Sequence, residues 1–206
     1  MGASFCLSGS LFIGNLLNLA VEYEDNVNST TEHLILVDEK DRPIGSESKE
    51  KCHQGEGLLH RAFSVFIFNS NNELLLQQRS KLKPLWPLSW SNTCCSHPRL
   101  NESIESAATR RLAEEVGMDT TLQFLYKFTY AAKYLDFGSE REICHVFLGH
   151  CDSTPVINPD EIAEHRWISM EDLIIEVEQY PENFTPWFRM ELKEILENFP
   201  RALEAV

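Results

Sequence analysis

Positive charge is scarce in this sequence. Eighteen lysines and arginines face 32 aspartates and glutamates, a formal net charge of −14 over 206 residues. A surface of that sign cannot neutralise a run of phosphates, which excludes non-specific nucleic-acid binding. An anionic substrate then requires a local basic cluster. No CxxC pair occurs among Cys6, Cys52, Cys94, Cys95, Cys144 and Cys151, so a zinc ribbon and a thioredoxin-like motif are both excluded. The chain is 43% hydrophobic and 24% charged, and at this length it forms a complete core without disulfide staples. Reduced thiols and a cytoplasmic location are therefore expected. Internal repeats and low-complexity tracts are absent as well.

No lysine or arginine precedes Lys40. The apolar stretch ASFCLSGSLFIGNLLNLAV thus lacks the positive region of a secretory signal. Ser8, Ser10, Asn15 and Asn18 make it a poor membrane span, and Ile13, Leu16, Leu17 and Ala20 recur at helical spacing. Residues 1–30 are read as an extension of unassigned role, and 31–206 as a single domain.

Within that domain, HLILVDEKDRPIGSESK predicts two strands around a turn at Asp41-Arg42-Pro43. RAFSVFIFNSNNELLLQQRS predicts a hairpin central in a sheet, turning at Ser70-Asn71-Asn72. LQFLYKFTYAAKY and REICHVFLGHC predict another strand pair, and HRWISM a last strand. Between them NESIESAATRRLAEEVGM predicts a helix, with Asn101 as N-cap, Gly117 just past its end, and Ile104, Ala108 and Leu112 on one face. Two C-terminal helices follow, one capped by Ser169 and one entered through Thr185-Pro186. This order implies an α/β or α+β sandwich.

The central helix aligns with the Nudix box, G-x5-E-x7-R-E-U-x-E-E-x-G, in which U is a bulky aliphatic. Glu102, Arg110, Leu112, Glu114, Glu115 and Gly117 stand in their places. Ser96 replaces the first glycine and Arg111 the first helical glutamate. Arg110 with Glu114, and Arg111 with Glu115, are also the i,i+4 pairs of an ordinary salt-bridged helix. The box resembles that of Nudix proteins and implies their mixed sheet sandwich with flanking helices. Arg111 puts a cation where an acid would hold a divalent metal against a diphosphate, so pyrophosphate hydrolysis does not follow.

Candidate ligands lie elsewhere. KCHQGEGLLHRAF supplies His53 and His60, CCSHP supplies His97, and SEREICHVF supplies Glu140 and Glu142, which share one face of a strand. Three imidazoles and two carboxylates suit Zn²⁺, Mn²⁺ or Fe²⁺. Spacing alone leaves each histidine open to a structural role.

The stretches CHQGEGLLHRAFS, LLLQQRS, WPLSWSNTCCSHP, RRLAEEVG, SEREIC and TPWF together resemble type I isopentenyl diphosphate isomerases, Nudix-fold enzymes that interconvert isopentenyl and dimethylallyl diphosphates in isoprenoid biosynthesis. The resemblance runs from residue 33 to about 190. It implies that His53, His60, His97, Glu140 and Glu142 bind one divalent transition metal, Zn²⁺ or Mn²⁺. It further implies Cys95 as the catalytic thiol, with Glu142 and Tyr130 beside it. Glu115 would hold a Mg²⁺ that arrives with the diphosphate. Lys49, Arg79 and Lys83 match the positions that contact the diphosphate, and Trp187 an aromatic position of the site. A small prenyl diphosphate is then the substrate, and a monomer without nucleic-acid or membrane partners is expected. Two other readings stay open, a Nudix hydrolase and a metal-stabilised binding module without turnover. Trp86 and Trp90 read as packing residues, and Cys94 has no assigned role.

Overall fold

The computed structural model describes residues 32–200. The helical spacing read over residues 13–20 lies outside the described residues. The described chain folds into nine strands and four α-helices. In order these are β1 (His33–Val37), β2 (Pro43–Ser48), α1 (Lys49–Cys52), β3 (His60–Phe68), β4 (Glu73–Arg79), β5 (Trp90–Ser91) and β6 (Cys94–Ser96). Then come α2 (Ile104–Val116), β7 (Gln123–Tyr134), β8 (Gly138–His150), β9 (Ile162–Ser169), α3 (Met170–Gln179) and α4 (Pro186–Asn198).

β3 is the axis of the molecule, and its sequence explains why. The run AFSVFIF is apolar at nearly every position, which suits a strand buried on both faces. Phe63, Val65 and Ile67 pack with Ala107, Ala108, Leu112 and Val116 of α2. Phe66 and Phe68 pack on the other side with Phe188, Leu192 and Ile195 of α4. The period-2 alternation of a strand thus sends alternate side chains into two cores, one under each helix. Along one edge β3 runs parallel to β8 from His60↔Glu142 to Phe68↔His150. β8 in turn pairs antiparallel with β7.

The hairpin expected over residues 61–80 does turn at Ser70–Asn72, but its strands separate at once. β3 and β4 share one ladder position, Phe68↔Leu74. Beyond it β4 pairs with β9 along its length, while β3 takes β6 and β1 on that edge. The gap opened between β3 and β4 is where the segment carrying Cys94 to Ser96 enters. The N-cap of α2 is Ser103, two residues after the expected Asn101. The Ser103 hydroxyl accepts from the Ser106 backbone N–H at 3.1 Å, and Asn101 instead adopts φ +63° in the preceding turn. Gly117 closes the helix at φ +70°, in the left-handed region that glycine occupies at no cost in strain. Ser169 caps α3, and Pro186 opens α4, as expected.

Candidate active site

Four elements deliver the five expected metal ligands to one place. α1 ends at His53, β3 begins at His60, His97 follows β6, and β8 carries Glu140 and Glu142. The parallel register sets His60 beside Glu142, and the antiparallel register of β7 and β8 sets Tyr130 beside Glu142. One donor atom from each ligand lies within 4.8 Å of all the others. That span fits a single ion with bonds of about 2.1 Å.

The hydrogen bonds around the imidazoles give the chemical reason. His53 Nδ1 donates to the Lys49 carbonyl at 2.6 Å, and His60 Nδ1 to the Leu58 carbonyl at 2.7 Å. With Nδ1 protonated, Nε2 of each ring turns a lone pair into the cluster. His60 Nε2 and His97 Nε2 are 3.2 Å apart, and His97 Nε2 is 3.0 Å from Glu142 Oε1. Glu140 Oε2 approaches His53 Nε2 to 2.7 Å, yet it makes no hydrogen bond of proper geometry. Lone pairs facing one another across such distances are what a shared cation reconciles. Burial, reinforced by the neighbouring His60, drives the His97 pKa well below its ordinary value, so the ring is neutral and fit to ligate. Burial would raise the Glu142 pKa, but its bonding to His60 and Tyr130 keeps it lowered and the carboxylate ionised.

Beside this cluster a cavity of about 490 Å³ is lined by Cys95, Glu142, Tyr130, Trp187, Ser64 and Arg79, among others. The Tyr130 hydroxyl donates to Glu142 Oε2 at 2.6 Å. The Arg79 guanidinium is half in the wall. It donates to the Trp86 and Leu85 carbonyls at 3.0 and 2.9 Å, and its Nη1 lies 3.9 Å from Cys95 Sγ. Those bonds hold a turn in which Trp86 and Leu88 sit at φ +46° and +61°. Burial pushes the Cys95 thiol up to about 12 despite the opposing pull of Arg79. Trp187 faces the cavity with Arg79 5.2 Å from its ring centroid. Its ring also stands edge-on to Trp86 at 5.3 Å, so it belongs to core and site at once.

The basic cluster that an anionic ligand requires is present at the mouth. Lys49, Arg79 and Lys83 line the cavity, whereas Lys51 pairs with Glu47 outside it. Both lysines are held by carboxylates, Lys49 by Glu32 at 2.8 Å and Lys83 by Glu161. Glu161 also takes Arg111, whose second partner is the fully buried Glu115 at 2.6 Å. Against the upward push of burial, Lys83 and Arg111 hold Glu161 down at about 2. Burial raises Glu115, although Arg111 draws it back. Glu115 therefore stands behind the cavity wall, and Arg111 clamps three acids, Glu114, Glu115 and Glu161, from the place of a fourth. Glu102 binds the Arg110 guanidinium through both oxygens at 2.7 and 2.8 Å, a brace for the start of α2.

A NUDIX domain model matches residues 58–188. Isopentenyl-diphosphate Delta-isomerase 1 of Photorhabdus laumondii subsp. laumondii is 45% identical over 169 residues, covering 81% of this chain and 96% of that protein. Isopentenyl-diphosphate Delta-isomerase of Serratia proteamaculans is 45% identical over 164 residues, covering 80% and 91%. The chain belongs to the isopentenyl-diphosphate Delta-isomerase family. Among solved structures, a Deinococcus radiodurans protein superposes with a TM-score of 0.60 at 23% identity, over 72% of this chain and 90% of that one. That likeness shows the Nudix fold alone.

Two features of this isomerase-family site were not legible beforehand. The first is the polar clamp made by Ser91, Asn92 and Thr93. Asn92 Nδ2 donates to the carbonyls of Val65 and Cys94, and Thr93 Oγ1 donates to the Leu75 carbonyl while accepting from the Ile67 N–H. Ser91 and Thr185 share a hydroxyl contact at 2.9 Å, which ties the reacting loop to the start of α4. Cys94 turns away from the cavity into the core under α2, which accounts for it as a packing residue.

The second is Glu191, fully buried on the face of α4 that carries Phe188, Leu192 and Ile195. An acid on the apolar stripe of a helix is the signal that marks it. Burial pushes its carboxyl up to about 8. An acid with a raised pKa binds its proton more tightly folded than unfolded, so its contribution is lost as pH rises from the unfolded value near 4.5 towards 8. Urea unfolding should therefore show wild-type stability declining relative to Glu191→Gln across that window, and parallel curves would refute the assignment.

Among the described residues, no helix is long and apolar enough to cross a membrane.

Proposed function

We propose that the chain catalyses the interconversion of isopentenyl and dimethylallyl diphosphates, with Cys95 and Glu142 as the acid–base pair. The observation that carries this reading is the meeting of three different groups in one cavity. A thiol, a carboxylate with a bonded phenol, and a cationic mouth face the same space.

The reaction adds a proton to the terminal methylene of an unactivated alkene. It removes another from the carbon nearer the diphosphate, by way of a tertiary carbocation. Lys49, Arg79 and Lys83 bind the diphosphate and so fix the reacting carbons deeper in the cavity. Arg79 is the best placed of these for paired contacts with phosphate oxygens. Cys95 and Glu142 then exchange protons with the two carbons, and Tyr130 orients the Glu142 carboxyl. Trp187 presents its ring to the developing cation, a contact of about 2 kcal/mol when desolvated. A divalent cation held by His53, His60, His97, Glu140 and Glu142, Zn²⁺ or Mn²⁺ by donor chemistry, supplies a fixed charge that sets the proton affinity of Glu142. Glu115, now paired with Arg111, would hold a Mg²⁺ that accompanies the diphosphate, and Glu161 is the second acid on Arg111.

Purified protein supplied with isopentenyl diphosphate and a divalent metal is expected to form dimethylallyl diphosphate. Release of inorganic phosphate, or binding without turnover, would defeat the reading.

A further inference from the structure

We propose that Glu191 is a positioning residue for the isomerisation, acting on Cys95 through Cys144 and Ser64. The proposal rests on Cys95 as the reacting thiol and extends it to a residue outside the cavity.

α4 brings Trp187 to the cavity wall, and Glu191 follows one turn later on the same buried face. Glu191 Oε1 lies 3.5 Å from Cys144 Sγ, and that sulfur lies 3.5 Å from Ser64 Oγ. Ser64 lines the cavity, and its backbone pairs directly with Cys95 across β3 and β6. An acid, a thiol and a hydroxyl thus form a continuous polar line from α4 to the back of the reacting loop. The Cys144 thiol has a single proton and can donate to only one of its two neighbours. The state of the Glu191 carboxyl decides which, and so decides how the Ser64 hydroxyl points beside Cys95.

Burial of this acid is costly, because Oε2 finds no partner among the described residues. Leucine would fill the volume without that cost. The groups that bear on Glu191 are Ser64 of β3, Cys95 of β6, Tyr126 of β7, Glu142 and Cys144 of β8, and Glu194 of its own helix. None of these groups is itself a cation, although Arg79 stands 3.9 Å from Cys95.

The test uses the full chain with a divalent metal and isopentenyl diphosphate. Glu191→Ala is expected to lower kcat about tenfold with KM within about twofold, because only groups behind the reacting thiol are disturbed. Glu191→Gln retains an N–H donor and should recover most of that rate. A second readout needs no turnover, namely the rate at which iodoacetamide alkylates Cys95, located by peptide mass spectrometry. Glu191→Ala should change that rate several-fold, while Glu191→Gln should stay near wild type. Should Glu191→Ala fail to fold, Ser64→Ala cuts the same line without touching α4 and must alter the Cys95 alkylation profile. Wild-type kcat together with an unchanged alkylation profile in these variants overturns the proposal. A fully active Cys95→Ala protein instead overturns the assignment of the thiol, so the two failures are distinct.

Discussion

Cys95→Ala is expected to lower kcat by about 100- to 10,000-fold while changing KM for isopentenyl diphosphate little. The split follows from the geometry. Lys49 and Lys83, the proposed diphosphate contacts, line the cavity without touching the sulfur, so affinity for the diphosphate should survive. Arg79, which is 3.9 Å from the sulfur, keeps its two carbonyl bonds to the 85–86 turn. The side chain lost is small and half-buried, so the cavity it leaves is minor. What would disappear, under the proposed mechanism, is one of the two groups that exchange protons with the substrate. Full activity in steady-state assays of the purified variant would show that the thiol is a bystander.

The second large effect concerns the ligands. His60→Ala is expected to abolish activity and the stabilisation that added Zn²⁺ or Mn²⁺ gives the wild-type fold. At a metal concentration near 100 times Kd that stabilisation is about 2.7 kcal/mol. Chelation of the wild-type protein should reproduce the loss, and metal returned in excess should reverse it. His60 is fully buried and its ring is fixed by the Leu58 carbonyl, so no neighbouring group can take its place. Thermal melts with and without metal decide the matter. An equal metal-induced shift in His60→Ala would place the ion elsewhere.

Local chemistry was legible in the sequence to the extent that it acts locally. The apolar run of AFSVFIF, the caps at Ser169 and Gly117, and the proline at the head of α4 each act through neighbouring residues. The partner of β3 was not legible, because the strand that pairs along its whole length lies some 80 positions later and nothing in either strand names the other. The same applies to Glu161 and Glu191. Glu161 looks like one more surface acid until the fold brings Lys83 and Arg111 to it from 78 and 50 residues away. Asn101 and Ser103 are both residue types that cap helices. What decides between them is where the chain leaves the preceding turn.

The placement of the ligands on β3 and β8 bears on how long the ion would stay. β8 is paired with β3 on one edge and β7 on the other, so its backbone is among the last to open. His60, Glu140 and Glu142 would therefore hold a cation from backbone that seldom yields, and the easier exit lies elsewhere. His53 offers that exit, since it closes a single-turn helix rather than a ladder. Metal dissociation should thus follow the fraying of residues 49–53, and a substitution that stiffens that turn should lengthen the residence time without altering the melting temperature.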